Sequence, residues 1–205
     1  MTTEATHKSC CQKPVRAWKR IIATVLAVAI LIVAAGTIFA YSGAYSVAAT
    51  SPHSKPVEWA MKETMERSVR AHARSVTVPQ NVDLRDPALA KKAFGHYSAA
   101  CITCHAAPGR GPDPWVVLYP PAPDLTKPAA SSRWSDAELF WIIKHGIKDT
   151  GMLALGPTHK DEDVWAVSAF VRQLPDMTPE QYHAMAREYE SATKAPQANG
   201  THHHH

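Results

Sequence analysis

Strand-type alternation of apolar and polar residues is scarce along this chain of 205 residues, which argues against a sheet-based fold. Cysteine is scarce too. There are four, in two separated pairs: Cys10 with Cys11, and Cys101 with Cys104. A structural zinc site needs two paired sets of ligands at similar spacing, and a long apolar run stands between these pairs. A thioredoxin-like redox pair needs strand-helix-strand surroundings, and no strand-like alternation precedes Cys101. A basic patch is also missing from the part of the chain with folded-domain composition. Residues 81–175 carry ten bases and ten acids, so the excess lies elsewhere, at +4 in residues 1–20 and +2 in residues 46–80, against −2 in residues 176–200. A nucleic-acid surface would need that patch on the domain itself, which removes nucleic acid as a partner. Charge is absent altogether from residues 21–45.

That charge-free run is the first positive feature. About 20 apolar residues span a bilayer as a helix. The run exceeds the 7–15 residues of a signal-peptide core, so it reads as a retained anchor even though Val47-Ala48-Ala49 resembles a cleavage site. Basic residues ahead of it, Lys8, Lys13, Arg16, Lys19 and Arg20, place residues 1–20 in the cytoplasm. The remainder is then periplasmic on a single-pass bacterial inner-membrane protein, with the lipid bilayer as one partner. Tyr41 and Tyr45 fall at the outer interface. Cys10 and Cys11 precede the run and read as cytoplasmic thiols, with palmitoylation as the alternative.

The second feature is Cys101-Ile102-Thr103-Cys104-His105. Two cysteines with two residues between them and a histidine next are the pattern of covalent haem c attachment. The spacing follows from the chemistry. The two sulfurs, three residues apart on one helical face, each form a thioether with a haem vinyl group. His105, one residue further round, supplies an axial iron ligand.

The remaining organisation is helical, with long proline-rich connections. Residues 46–83 hold a juxtamembrane amphipathic helix starting at Ser54-Lys55-Pro56, followed by an extended connector. The apolar stripe of that helix is Val57, Met61, Met65 and Val69, and it suits the membrane surface, the haem domain or a partner equally. Residues 84–175 form the haem domain. Asp86 and Pro87 start a helix running to Cys101. A loop with Pro112, Pro114, Pro120, Pro121, Pro123 and Pro128 follows, where no regular element fits. Ser135 to Glu138 is a capping box opening a helix that Gly146 stops. Asp161 caps a last helix carrying Val164, Trp165, Val167, Phe170 and Val171. Residues 176–200 add a helical appendage with Tyr182, Met185 and Tyr189 on one face. His202 to His205 read as a tag remnant within residues 201–205.

A second axial ligand is expected from Met152, which sits in a glycine-containing loop free of helical constraint. Met61, Met65, Met177 and Met185 lie at helical spacing and read as packing. His96, His145, His159 and His183 read as surface or hydrogen-bonded histidines. A His/Met pair leaves no open position on the iron and raises the reduction potential, which favours electron transfer over substrate chemistry.

Residues 84–175 resemble a small class I c-type cytochrome of the mono-haem kind. The resemblance rests on Tyr97 four residues before Cys101, the haem motif, Pro-Asp-Leu at 123–125, His145-Gly146-Ile147, Thr150-Gly151-Met152, and the helix from Asp163 to Val171. It implies an all-α cytochrome c fold, three main helices and long loops around one haem, set after the transmembrane helix. It implies that Phe170 packs against the N-terminal helix, and that a proline carbonyl, from Pro112 or Pro114, accepts the Nδ1 proton of His105. Ala93 stands where the family often has a glycine, which implies a looser helix crossing. Leu153 stands where a proline often follows the methionine, which implies a less stiff loop. The electrically neutral domain shows no lysine-ringed docking face.

The expected function is a membrane-anchored electron carrier, not an enzyme, with no small-molecule substrate. Its partners are redox proteins: an oxidoreductase such as a dehydrogenase as donor, and a terminal oxidase or reductase as acceptor. The alternative is a fixed haem c subunit of a larger oxidoreductase. Peroxidase activity or gas sensing would need an open iron position.

Overall fold

The computed structural model describes residues 12–194. Lys8, Cys10, Cys11 and the terminal histidines lie outside the described residues. Among the described residues the chain is helical without strands, apart from an isolated bridge between Ala107 and Arg110. It divides into two compact units after Ser51.

The first unit is α1, Gln12–Ser42. Its segment Ala17–Ser42 is long and apolar enough to cross a membrane and is a candidate anchor. At 1.5 Å per residue those 26 residues span roughly 39 Å, beyond the ~30 Å of a hydrocarbon core. The hydroxyls of Thr24 and Thr37 donate back to the carbonyls of Arg20 and Val33, at 3.0 and 2.8 Å. Neither therefore leaves an unmet donor on an apolar surface. The helix starts earlier than the charge-free run and ends before Tyr45, because Gly43 adopts φ +66° and breaks the repeat.

The second unit begins with α2, Lys55–His72, with Ser54 at the N-cap and Pro56 in the first turn. Only the C-terminal half of its apolar stripe is used inward. Val69 is buried and Met65 packs on the core, while Met61 is exposed. Glu66 ties this half down through Arg133 at 3.2 Å, and the Arg133 guanidinium lies 4.6 Å over the Trp134 ring. The helix therefore packs on the haem-motif unit, one of the three options its stripe allowed.

The next segment departs from a single helix. Asp86 caps it as expected, accepting from Ala88 N at 2.8 Å. The run from Pro87 to His105 is then broken into α3, Pro87–Lys92, α4, Phe94–His96, a π turn, Tyr97–Cys101, and α5, Ile102–His105. A π turn holds one residue more than an α turn, so it rotates everything beyond it. Tyr97 stays in the core while the haem motif is turned toward the margin. The proline-rich loop also contains a short helix, α6, Pro128–Ser131, where none was expected. Its proline occupies the first turn, the position that needs no amide hydrogen.

α7, Asp136–His145, has its capping box formed in both directions. α8, Asp161–Gln173, crosses α3. Its N-cap is Lys160 and not Asp161. The Lys160 amide donates to the Asp163 carboxylate at 3.3 Å, and Asp161 instead pairs with Lys144 at 2.7 Å. A carboxylate three residues on reaches back as in any capping box, which releases Asp161 for the cation. Phe170 is fully buried, 4.8 Å from the Tyr97 ring and 6.2 Å from Phe94. Ala93 is fully buried too, so its methyl group is accommodated at the core. The guanidinium of Arg172 donates to the carbonyls of Ser131 and Trp134 and to Asp136, at 2.9, 3.0 and 2.7 Å.

The final helix, α9, Pro179–Lys194, closes over α4. Tyr182 and Tyr189 sit 5.2 and 5.7 Å from the Phe94 ring. A Cβ on Gly95 would lie 2.6 Å from the Tyr189 hydroxyl, so glycine is what lets the two helices meet. Phe170→Ala, which empties the centre of this packing, is expected to lower the unfolding free energy by about 3–5 kcal/mol. Urea unfolding of the detergent-solubilised holoprotein measures it.

Candidate haem site

The turn after His105 is locked from inside. Ala106 adopts φ +64°, unusual for a residue with a side chain, and its carbonyl accepts the Tyr97 hydroxyl at 2.7 Å. Burial holds the Tyr97 phenol well above its ordinary pKa, so it stays a protonated donor. The π turn and this bond together fix where α5 ends.

Cys101 and Cys104 are half-buried free thiols. Burial pushes the Cys101 thiol up to about 11, and the neighbouring Cys104 sulfur adds to the rise. Both thiols are half-buried and Cys101 packs on the core cluster, a setting suited to sulfurs consumed in thioether bonds.

His105 is bracketed by the proline-rich loop. Its Nδ1 lies 2.9 Å from the carbonyl of Pro123, and its own carbonyl accepts from Leu125 N at 3.1 Å. A carbonyl only accepts, so Nδ1 carries the proton. Burial lowers the pKa of the imidazole, against the pull of the Pro123 bond. The neutral ring then keeps its lone pair on Nε2, the form that binds a metal. The supporting proline is Pro123, not Pro112 or Pro114. Asp113 N donates to Thr103 O at 2.9 Å, which ties the nearer part of the loop to the helix backbone and leaves the carbonyl at 123 to reach the ring.

Met152 follows α7. Its side chain is half-buried and packs on the same core cluster as Cys101. The loop is pinned at Gly146, whose φ is +65° and where a Cβ would lie 2.6 Å from the Met152 carbonyl oxygen. Beyond the loop, Leu155 N and Gly156 N bond to the carbonyls of Ile143 and Lys144, at 3.2 and 2.9 Å. Leu153 points to solvent. The other sulfur and imidazole candidates lie elsewhere. Met65, Met177 and Met185 pack on the core. His96 faces His159 at 4.8 Å, His145 faces Trp141 at 4.9 Å, and His183 faces Tyr182 at 6.3 Å.

A cleft of about 890 Å³ lies between the connector, α3, α7 and the start of α8, and none of Cys101, Cys104, His105 or Met152 lines it. It is an open groove that the donor residues do not line, so size is no guide to the site here. Among the described residues no group of three or more His, Cys, Asp and Glu side chains is gathered as for a metal ion. The spacing of Cys101, Cys104 and His105 suits a covalently attached haem, a cofactor that brings its own metal. Pro123 was within reach of the sequence, since it opens the Pro-Asp-Leu match at 123–125. Replacing Gly146 by alanine is expected to dislodge the Met152 loop through both the positive φ and the contact with the Met152 carbonyl. Faster proteolysis or hydrogen exchange confined to residues 146–153 is the measurement.

Residues 88–171 match the family model described as cytochrome c oxidase, cbb3-type, subunit III. No curated protein and no solved structure matches the chain. With the helical fold and the donor set above, this match identifies residues 88–171 as a mono-haem c-type cytochrome domain, an electron-transfer module with covalently bound haem c.

Proposed function

We propose that the protein is a membrane-anchored periplasmic cytochrome c that carries single electrons from an oxidoreductase to a terminal oxidase or reductase. Cys101 and Cys104 hold the haem through thioethers. His105 Nε2 and the Met152 sulfur would ligate its iron. When bound, haem c supplies a one-electron couple. The observation that carries the reading is the imidazole of His105. It follows the second cysteine directly, and its Nδ1 is committed to Pro123 O, which leaves Nε2 as the free nitrogen.

The residues then have separate tasks. Pro123 fixes the ring plane and the tautomer of His105. Tyr97, through Ala106, fixes the end of the helix that presents it. Met152 would take the remaining ligand position on the iron and keep small molecules from it, leaving electron transfer as the chemistry supplied. The core of Tyr97, Phe170 and Ile102 keeps water from that side of the site. Residues 21–45 keep the module at the membrane.

Met152→Ala is expected to abolish the sulfur-to-iron charge-transfer band of the oxidised protein while leaving the covalent haem in place. A persisting band would falsify the ligand assignment. Cys101→Ala with Cys104→Ala should abolish haem staining after denaturing electrophoresis. N-terminal sequencing of the membrane-extracted protein is expected to find residues 21–45 retained, and a mature start near Ala49 would mean a cleaved leader instead.

A fixed subunit of a larger oxidoreductase is the second reading. It is favoured by the oxidase-subunit description of the matched family and by α2 and α9, which flank the matched residues. Co-purification of an oxidoreductase at constant ratio in mild detergent supports it, and a monodisperse carrier supports the first reading.

A further inference from the structure

We infer that Thr150 is the positioning residue for Met152. Its hydroxyl closes the loop that leaves α7 and sets the direction in which the thioether is presented. The inference rests on Met152 being the iron ligand proposed above. Thr150 Oγ1 donates to Ile147 O at 2.7 Å and accepts from Met152 N at 3.1 Å. One hydroxyl has one proton to give and lone pairs to receive, so this single side chain joins the first residue of the loop to the backbone of the ligand residue itself.

The surrounding contacts show why a clamp is needed there. Asp149 adopts φ +60°, a left-handed conformation that a residue with a Cβ holds only under restraint. Next, the side chain of Leu118 presses on the α-carbon of Gly151, where a Cβ would lie 2.7 Å from its Cδ2. The Met152 carbonyl in turn presses on Gly146, as described. Both of these are contacts of shape. They stop the loop from moving inward without stopping it from moving away. The residue after the methionine gives no restraint, because Leu153 is 76% exposed. The hydroxyl of Thr150 is the directional tie, and it holds the amide of the very residue whose sulfur must face the iron.

The test uses the full-length holoprotein in detergent. Thr150→Val keeps the β-branch and volume and removes only the tie, and Thr150→Ser restores the hydroxyl. Thr150→Val is expected to shift the balance between sulfur-bound and sulfur-free iron about five- to tenfold toward the free form, the range of one ordinary hydrogen bond. The readouts are a weaker charge-transfer band, a lower midpoint potential, and faster carbon monoxide binding by the reduced protein. Thr150→Ser is expected to match the parent in all three. Met152→Ala is the control for the underlying reading: if it keeps the band, the ligand assignment fails. If Met152→Ala loses the band and Thr150→Val still equals the parent, Met152 stands and the positioning role of Thr150 is overturned. Should Thr150→Val not accumulate, Thr150→Ala is read in its place: more sulfur-free iron than in the parent supports the tie, and parent-like spectra and carbon monoxide resistance overturn it.

Discussion

The hydrogen bond between His105 Nδ1 and the Pro123 carbonyl sets a condition that much of the unit satisfies. An imidazole offers a metal only one nitrogen, and the other must be protonated and held, or the ring turns. Holding it requires a carbonyl brought from 18 residues away, in a stretch with little regular structure. Hence the ties of that stretch: Leu125 to the His105 carbonyl and Asp113 to the Thr103 carbonyl. The proline content is part of the solution. Each proline removes an amide donor and fixes φ, so the loop has fewer alternative states to lose when it closes.

The other half of the condition is met from the core. Tyr97 reaches from a fully buried position to the turn after His105, and Phe170 packs on its ring. The helix crossing and the site are thereby one mechanical object. The flanking helices belong to it as well. α2 lends Val69 to the shared core, and α9 lends Tyr182.

Legibility in the sequence follows the range of the interaction. Local chemistry could be read directly: the Asp86 cap, the Ser135 and Glu138 box, the glycine stop at 146, and the haem motif itself. The packing of Phe170 against the N-terminal helix came from the family resemblance and stands, with Tyr97 and Phe94 as its ring partners. What escaped was set by partners distant in sequence or by competition between near neighbours. The π turn does not show because Tyr97 to Cys101 has ordinary helical propensity, and burial of Tyr97 imposes the extra residue. Pro123 was overlooked in favour of nearer prolines because proximity in sequence is no measure of reach in a loop. Lys160 displaced Asp161 at the cap because Asp163 could answer its amide while Lys144 drew Asp161 away. The side to which α2 turns its stripe was undecided in the sequence, and burial of Val69 and packing of Met65 on the core decide it.

Arg172 has a consequence of a different kind. Two of its three acceptors are backbone carbonyls, which do not titrate, and a guanidinium does not lose its proton in a protein. The joint between α6, α7 and α8 is therefore built mainly on contacts that do not titrate, and the frame that carries the Met152 loop keeps its shape as the surrounding medium turns acid.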